Sequence, residues 1–435
     1  MHSTAALRRR LGLGDAVALG LASMIGAGVF SAFAPAAAVA GSSLLVGLAL
    51  AALVAFCNAT SSAQLAAQTP TSGGTYVFGR VHLGPWWGYV AGWSFVVGKS
   101  ASCVAMATTF AAYAAPPGWE RPVAVLAIAA LAVVNCFGVT RTALLARILV
   151  TASLLTLAIV VASGVCTLAG SAGTAPPQAA VAGSTAAGGD DPFFAGGWYG
   201  VLQSGGLLFF AFAGYARIAT MGEEVRDPRR NIPRAIVLAL SLVVVIYALV
   251  GAVVLLVLGA SGTAATAQPL ALVVQEAGWG WAAPLVRLGA AAASLGALLS
   301  LITGTGRTTL AMAREGDLPR WLAVVDRRFG VPQRAELSLA AIMCIAAALV
   351  DLRGAIAFSS FGVLLYYFVA NAAALRQRAP WRRYPRALAV VGAVLCIVLV
   401  ATLPWQGVVA GAAVVVAGVL LRLVVRRRRD GAPAS

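Results

Sequence analysis

The sequence predicts an all-α polytopic membrane protein with twelve transmembrane helices, and three observations carry that prediction. Only 10% of the 435 residues are charged and 60% are hydrophobic, whereas about a quarter of a soluble domain is charged; mean hydropathy is +0.90. The apolar residues gather into runs long enough for a bilayer core, which takes about 20 helical residues. Those runs are continuous Ala/Leu/Val stretches, without the period-two alternation of a membrane β-barrel, the one other spanning architecture. The composition excludes a soluble enzyme, a disordered chain and a secreted disulfide scaffold.

In chain order the spans are expected at 12–40, 42–67, 86–114, 121–138, 143–169, 198–221, 233–259, 280–312, 335–351, 354–375, 387–403 and 406–425. The hydrophobic stretch behind Arg8, Arg9 and Arg10 is too long for a cleavable signal and is expected to remain as span one. Two connecting segments are not spans. Residues 170–197, rich in Ala, Gly, Ser, Thr and Pro, read as an external loop of low complexity. Residues 313–334 form the longest cytoplasmic loop and are expected to hold a short amphipathic helix.

The net charge of +17, from 31 basic and 14 acidic residues, is placed by position. Arginine clusters recur in alternate loops: Arg80, Arg141, Arg226 to Arg234, Arg314 to Arg334, Arg376 to Arg386 and Arg426 to Arg429. The opposite loops offer Arg121 and Arg353 beside Glu120, Asp190, Asp191, Glu276 and Asp351. By the positive-inside rule both termini are expected in the cytoplasm, in a multi-pass protein of the cell membrane. The basic excess then meets anionic lipid headgroups rather than nucleic acid. Cys57, Cys103, Cys136, Cys166, Cys344 and Cys396 lie in apolar stretches without CxxC spacing, and His2 and His82 lie outside the spans. Neither a metal site nor a cofactor is expected.

Span one contains LGLASMIGAGVFSAFAP, where Gly26 and Gly28 bracket Ala27 in the middle of an apolar run; span six contains LLFFAFAGYARIATMGEE, interrupted at Ala213 and Gly214. Each glycine costs a helix about 1 kcal/mol against alanine. Close small-residue packing would explain one such site. A matched pair calls for more. Ala27 and Ala213 are 186 residues apart, and so are the expected starts of spans one and six. With five spans per unit, the second copy is inverted relative to the first. Interrupted helices at matching places of inverted halves point to a midplane binding site. The half-helix starting near Ala27 offers N–H groups to a carboxylate, and the one ending near Phe210 offers carbonyls to an ammonium.

The chain resembles the amino acid–polyamine–organocation permeases. The likeness rests on SMIGAGVF in span one, TPTSGGTYVF after span two, FFAFAGYARIATMGEEVRDPRRNIPRAI at span six and GRTTLAMAREGDLP at the end of span eight. It implies a five-plus-five inverted repeat with broken helices 1 and 6 plus two extra helices. The divisions are then 1–11 (cytoplasmic N-terminus), 12–169 (first repeat), 170–197 (external loop), 198–378 (second repeat), 379–425 (two additional helices) and 426–435 (cytoplasmic tail). By the resemblance, the backbone of Ala27, Gly28 and Val29 would hold a substrate carboxylate, and carbonyls of Met24, Phe210 and Ala213 its amino group. Gly26 and Gly214 open the backbone beside them. Phe210 stands at the aromatic gate position with Phe212 nearby, while Phe209 reads as packing. Arg217, Glu223 and Glu224 are gate or ion-pair candidates, and Asp227-Pro228 and Ile232-Pro233 read as the turn that opens span seven.

Three basic residues within spans are singled out. Arg287 can snorkel to the external face, and Arg217 can pair with Glu223 or Glu224. Lys99 is the one lysine of the chain and sits near the centre of span three, out of snorkelling reach. It is the candidate coupling residue. Several proton-coupled members of the family carry a lysine on span five instead; here Ser153 or Leu154 stands in that vicinity. The function expected is secondary transport of amino acids by alternating access, as proton symport or exchange, with amino acid, lipids and protons as partners. A polyamine or organic-cation carrier is the alternative on the same fold; the lack of acidic residues deep in the spans weighs against it. A membrane enzyme would need paired Asp, a Ser/His pair or HExxH within the spans, and none occurs. An amino-acid sensor is the remaining class.

Overall fold

In the computed structural model, described over residues 11–69, 73–137, 142–170, 194, 196–219, 225–326 and 328–430, every expected span is helical. Span one is divided into α1 (Leu13–Met24), α2 (Ala27–Ser31) and α3 (Phe33–Ala40). Then follow α4 (Leu44–Gln68), α5 (Gly74–Leu83), α6 (Pro85–Ala114), α7 (Glu120–Cys136) and α8 (Thr142–Gly170). The second half holds α9 (Gly197–Phe212), a 3₁₀ turn (Ala213–Tyr215), α10 (Ala216–Ala219), α11 (Pro228–Ala265), α12 (Pro269–Glu276), α13 (Ala283–Arg314), α14 (Gln333–Leu349) and α15 (Leu352–Leu375). Two more, α16 (Arg386–Thr402) and α17 (Trp405–Asp430), complete the chain.

Among the described residues nine helical stretches are long and apolar enough to cross a membrane. The remaining three expected spans are α7, α14 and α16, of 17 residues each. At 1.5 Å per residue each reaches about 25 Å, just short of the ~30 Å apolar core. Exposed tryptophans stand at the starts of α7 (Trp119), α9 (Trp198) and α17 (Trp405) and just before α13 (Trp281), where one membrane interface would place them. Leu126, Leu242, Leu288, Ile345 and Val416 are exposed, as lipid-facing residues should be. Cys57, Cys103, Cys136 and Cys396 are buried, whereas Cys166 is exposed on α8 and Cys344 half-buried.

Local chemistry explains the departures from expectation. Helix α11 starts at Pro228 rather than at 233, because Asp227 adopts a left-handed conformation (φ 46°) and Pro228 fits the first turn. Pro233 then lies inside the helix, where its ring nitrogen cannot bond to the Arg229 carbonyl. Arg383 takes that carbonyl instead, at 2.6 Å. The expected end of that span at 259 is a kink at Gly259 (φ 68°), after which the helix resumes. The segment 313–334 contains a single 3₁₀ turn at Arg320–Ala323 among its described residues, not an amphipathic helix. Helices α5 and α12, by contrast, were not anticipated.

Helix α6 runs through the middle of the bundle against α13 and α15. Its approach to α15 is backbone on backbone, since a Cβ at Gly362 would stand 2.7 Å from the Gly98 Cα. The last helix is fastened to this core by a buried charge cluster. Arg422 of α17, fully buried, forms an ion pair with Asp317 at 2.8 Å and lies over the rings of Trp86 and Tyr89. Asp317 also accepts from Arg80 (2.9 Å) and the Tyr76 hydroxyl (2.9 Å), which brings in α5. The Tyr89 hydroxyl donates to the Gly418 carbonyl, and Trp93 to that of Val414.

Candidate functional site

The breaks in spans one and six meet. Helix α1 stops at Met24 because Ile25 (φ −79°, ψ 71°) and Gly26 (φ −123°, ψ −145°) leave the helical region. Helix α2 then starts at Ala27 and continues through Ala32 into α3, with Ala32 N–H on the Gly28 carbonyl at 2.9 Å. Span six is tightened rather than opened: Ala213–Tyr215 is a 3₁₀ turn, whose first N–H donates to the Phe210 carbonyl. A Cβ on Gly28 would lie 2.5 Å from the Ala211 Cα, and one on Gly214 would lie 2.0 Å from the Ser23 carbonyl oxygen. Gly28 and Gly214 are 186 residues apart, the offset expected between spans one and six. Each permits the other span's backbone to cross at its break.

The freed backbone groups are held by side chains from neighbouring helices, as burial in an apolar bundle requires. Ser23 Oγ donates to the Gly214 carbonyl at 2.9 Å. The Tyr247 hydroxyl of α11 lies 2.7 Å from the Met24 carbonyl and 3.2 Å from that of Ala211. The Tyr113 hydroxyl of α6 donates to Phe30 at 3.0 Å. Lys99, only 5% exposed, directs Nζ to the Ala213 carbonyl at 3.1 Å, and the Tyr367 hydroxyl of α15 approaches the same oxygen at 3.5 Å. Rings close the crossing: Phe212 on Tyr247 at 5.1 Å, Phe209 on Tyr367 at 5.9 Å, and Tyr215 on Tyr367 at 5.0 Å. Beside them Asn371 bonds Asn58 at 2.6 Å, and Ser102 lies 2.6 Å from Ser359.

The structure thus gathers Met24, Gly26, Ala27, Gly28, Val29, Phe210, Phe212, Ala213 and Gly214 at one crossing, all buried except the half-buried Gly214. It adds Lys99, which the sequence could not place relative to the breaks. The carbonyls expected to receive an ammonium are already engaged, Met24 by Tyr247, Phe210 by the 3₁₀ turn and Ala213 by Lys99. Phe209 packs between helices. Ser153 is buried and bonds its own helix at Leu149, 2.8 Å away. Arg217 is exposed; Glu223 and Glu224, its expected partners, lie outside the described residues. Arg287 is exposed and donates to the Tyr113 carbonyl at 3.0 Å, capping the end of α6. Sequence reasoning missed Tyr113, Tyr247 and Tyr367, since a lone tyrosine in an apolar run carries no pattern. It also passed over Asp15 (paired with Arg147), Arg307, Arg422 and Glu336, charges near helix ends. No group of three metal-ligating side chains occurs among the described residues.

A broken span crossing a tightened one inside an apolar bundle, with backbone groups, hydroxyls and one ammonium at the crossing, is an arrangement suited to a membrane carrier of small polar solutes. Comparison with known proteins narrows the class: the amino acid permease family matches residues 11–424, and the chain belongs to that family. An uncharacterized transporter of Mycobacterium tuberculosis is 53% identical over 98% of this chain and 94% of its own length. The branched-chain amino acid permease BcaP of Bacillus subtilis is 26% identical over 93% of this chain and 90% of its own. Cationic amino acid transporter 4 of Homo sapiens is 29% identical over 84% of this chain and 59% of its own. The protein is a multi-pass membrane transporter of amino acids, not an enzyme.

Proposed function

We propose that the protein carries α-amino acids with uncharged side chains by alternating access, and that Lys99 couples their movement to protons. Both termini lie in the cytoplasm in this reading, which rests on the arginine asymmetry of the loops. The substrate carboxylate goes to the backbone of Ala27, Gly28 and Val29, and its ammonium to the Ala213 carbonyl once Lys99 releases it, with the second lone pairs of the Met24 and Phe210 carbonyls completing the site. Phe210 and Phe212 shield it. The observation that carries the coupling is the 3.1 Å contact between Lys99 Nζ and the Ala213 carbonyl.

A substrate ammonium and a lysine ammonium cannot share one carbonyl in an apolar site without a counter-charge. Substrate binding at Ala213 therefore requires Lys99 to leave or to give up its proton, which links the two events. No carboxylate among the described residues engages Lys99 or the freed carbonyls, so a second cation on the substrate would be uncompensated. Of the relatives, the branched-chain permease fits this better than the cationic transporters, and a polyamine carrier fits least.

Thermal shift of the purified protein against the amino acids and polyamines identifies the ligand. Uptake into proteoliposomes, with and without an imposed pH gradient, tests the coupling. Lys99→Ala and Lys99→Arg are both expected to lose gradient-driven accumulation, arginine because it stays protonated. Lys99→Ala is expected to keep binding and exchange. Gradient-driven accumulation by Lys99→Ala would refute the coupling role; strong uptake of arginine or spermidine would refute the substrate class.

A further inference from the structure

Outside the crossing, among the described residues, a carboxyl group is buried without an ion pair. Glu336 lies near the start of α14 and is 1% exposed. Neither carboxyl oxygen has a hydrogen-bond partner, and no Lys or Arg nitrogen lies within 4.0 Å among the described residues. Three features show that the space is built for it. Gly306 of α13 makes room, since a Cβ there would stand 2.5 Å from the Glu336 Cγ. Asn135, at the end of α7, lies beside the carboxyl, and its own Nδ2 is buried without a partner. The Asn135 Oδ1 is fixed by Thr303 Oγ1 at 2.9 Å, leaving a second lone pair. Gln333 ties α14 to the Cys136 carbonyl at 3.1 Å.

A carboxylate stripped of water and unpaired is costly, and the positive end of α14 offsets only a fraction of that cost. Of the facing groups, Arg307 of α13 is the cation that acts on the carboxyl, and it does so from an exposed position beyond ion-pair distance. Cys136 of α7 is a thiol, and Arg334 on the same helix is exposed. A neutral carboxylic acid does fit, because its O–H can donate to Asn135 Oδ1 while Asn135 Nδ2 donates to the other oxygen.

We propose that Glu336, with Asn135 and Gly306, forms a buried proton-binding site at the ends of α7, α13 and α14, separate from Lys99. In the closed packing Glu336 is the neutral acid. When the helix ends part, its O–H bond breaks, the proton passes to water and the electron pair stays on the carboxylate. The site gives the carrier a second ionisable group, and this transport role rests on the proton-coupled reading above.

Two measurements on the full-length protein separate the claims. Infrared difference spectroscopy should show a protonated carboxyl C=O band in the wild type that is lost in Glu336→Gln and displaced in Asn135→Ala. In proteoliposomes Glu336→Gln, a neutral mimic, should retain substrate binding, exchange and the response that Lys99 provides, but show a shifted pH profile of uptake. Absence of the band in the wild type, or its persistence in Glu336→Gln, overturns the proton site. An unchanged pH profile in Glu336→Gln overturns its part in transport. A Glu336→Gln protein that does not fold leaves the infrared pH titration of the wild type and Asn135→Ala to decide. The infrared result does not depend on uptake, so failure of the transport reading is distinguishable from failure of the site.

Discussion

Replacing Gly28 by alanine probes the crossing directly. The added Cβ would lie 2.5 Å from the Cα and 2.7 Å from the Cβ of Ala211, whereas carbon atoms in contact stand about 3.5–4.0 Å apart. Both obstacles lie on the main chain or next to it and cannot swing away, so α2 and α9 must part by about 1 Å. That displacement strains the Tyr247 hydroxyl, which spans the Met24 and Ala211 carbonyls. Overpacking of this kind costs about 1–3 kcal/mol. At 1.4 kcal/mol per decade, substrate affinity is expected to fall between about 5-fold and 150-fold. Gly28→Val, with a branched side chain at the same place, is expected to abolish binding while the protein still inserts. The assay is calorimetric titration of the ligand found by thermal shift, with Gly304→Ala as control. A Cβ at residue 304 meets nothing within 4 Å, so that variant should bind normally and gain up to ~1 kcal/mol of helix stability. Wild-type affinity in Gly28→Ala would refute the placement of the substrate at this crossing.

Three further outcomes are expected. Tyr247→Phe removes the hydroxyl between spans one and six, and should lower thermal stability by about 1 kcal/mol and weaken binding, as read by unfolding in detergent with and without ligand. Asp317→Ala leaves the buried Arg422 without its carboxylate and should cost about 3–5 kcal/mol, whereas Glu315→Ala, whose side chain is 53% exposed, should cost at most ~1 kcal/mol; equal losses in the two variants would refute the clasp. Single cysteines placed within 171–196, on a background lacking the native cysteines, should react with an impermeant thiol reagent in intact cells, and those within 313–334 should not; reversed labelling would overturn the orientation.

The pattern of apolar runs determined the helices, because a bilayer permits few backbone solutions and each must bond its own amides. It located both breaks for the same reason: glycines in the middle of a span are conspicuous against Ala/Leu/Val. It also marked Lys99, because a lysine far from either end of a span cannot snorkel and points to a functional role before a structural one. What Lys99 touches was not legible. Its bond to the Ala213 carbonyl joins residues 114 positions apart, and no local period encodes that. The same holds for Tyr247 and Tyr367, ordinary residues until packing brings their hydroxyls to freed carbonyls. Glu336 shows the limit most clearly. In the sequence it is one charge among others near a helix end; Gly306 and Asn135, on two other helices, decide that it is buried. Periodicity and composition act along the chain and fix the elements, while burial and pairing arise between helices, and only the tertiary structure decided which polar groups meet.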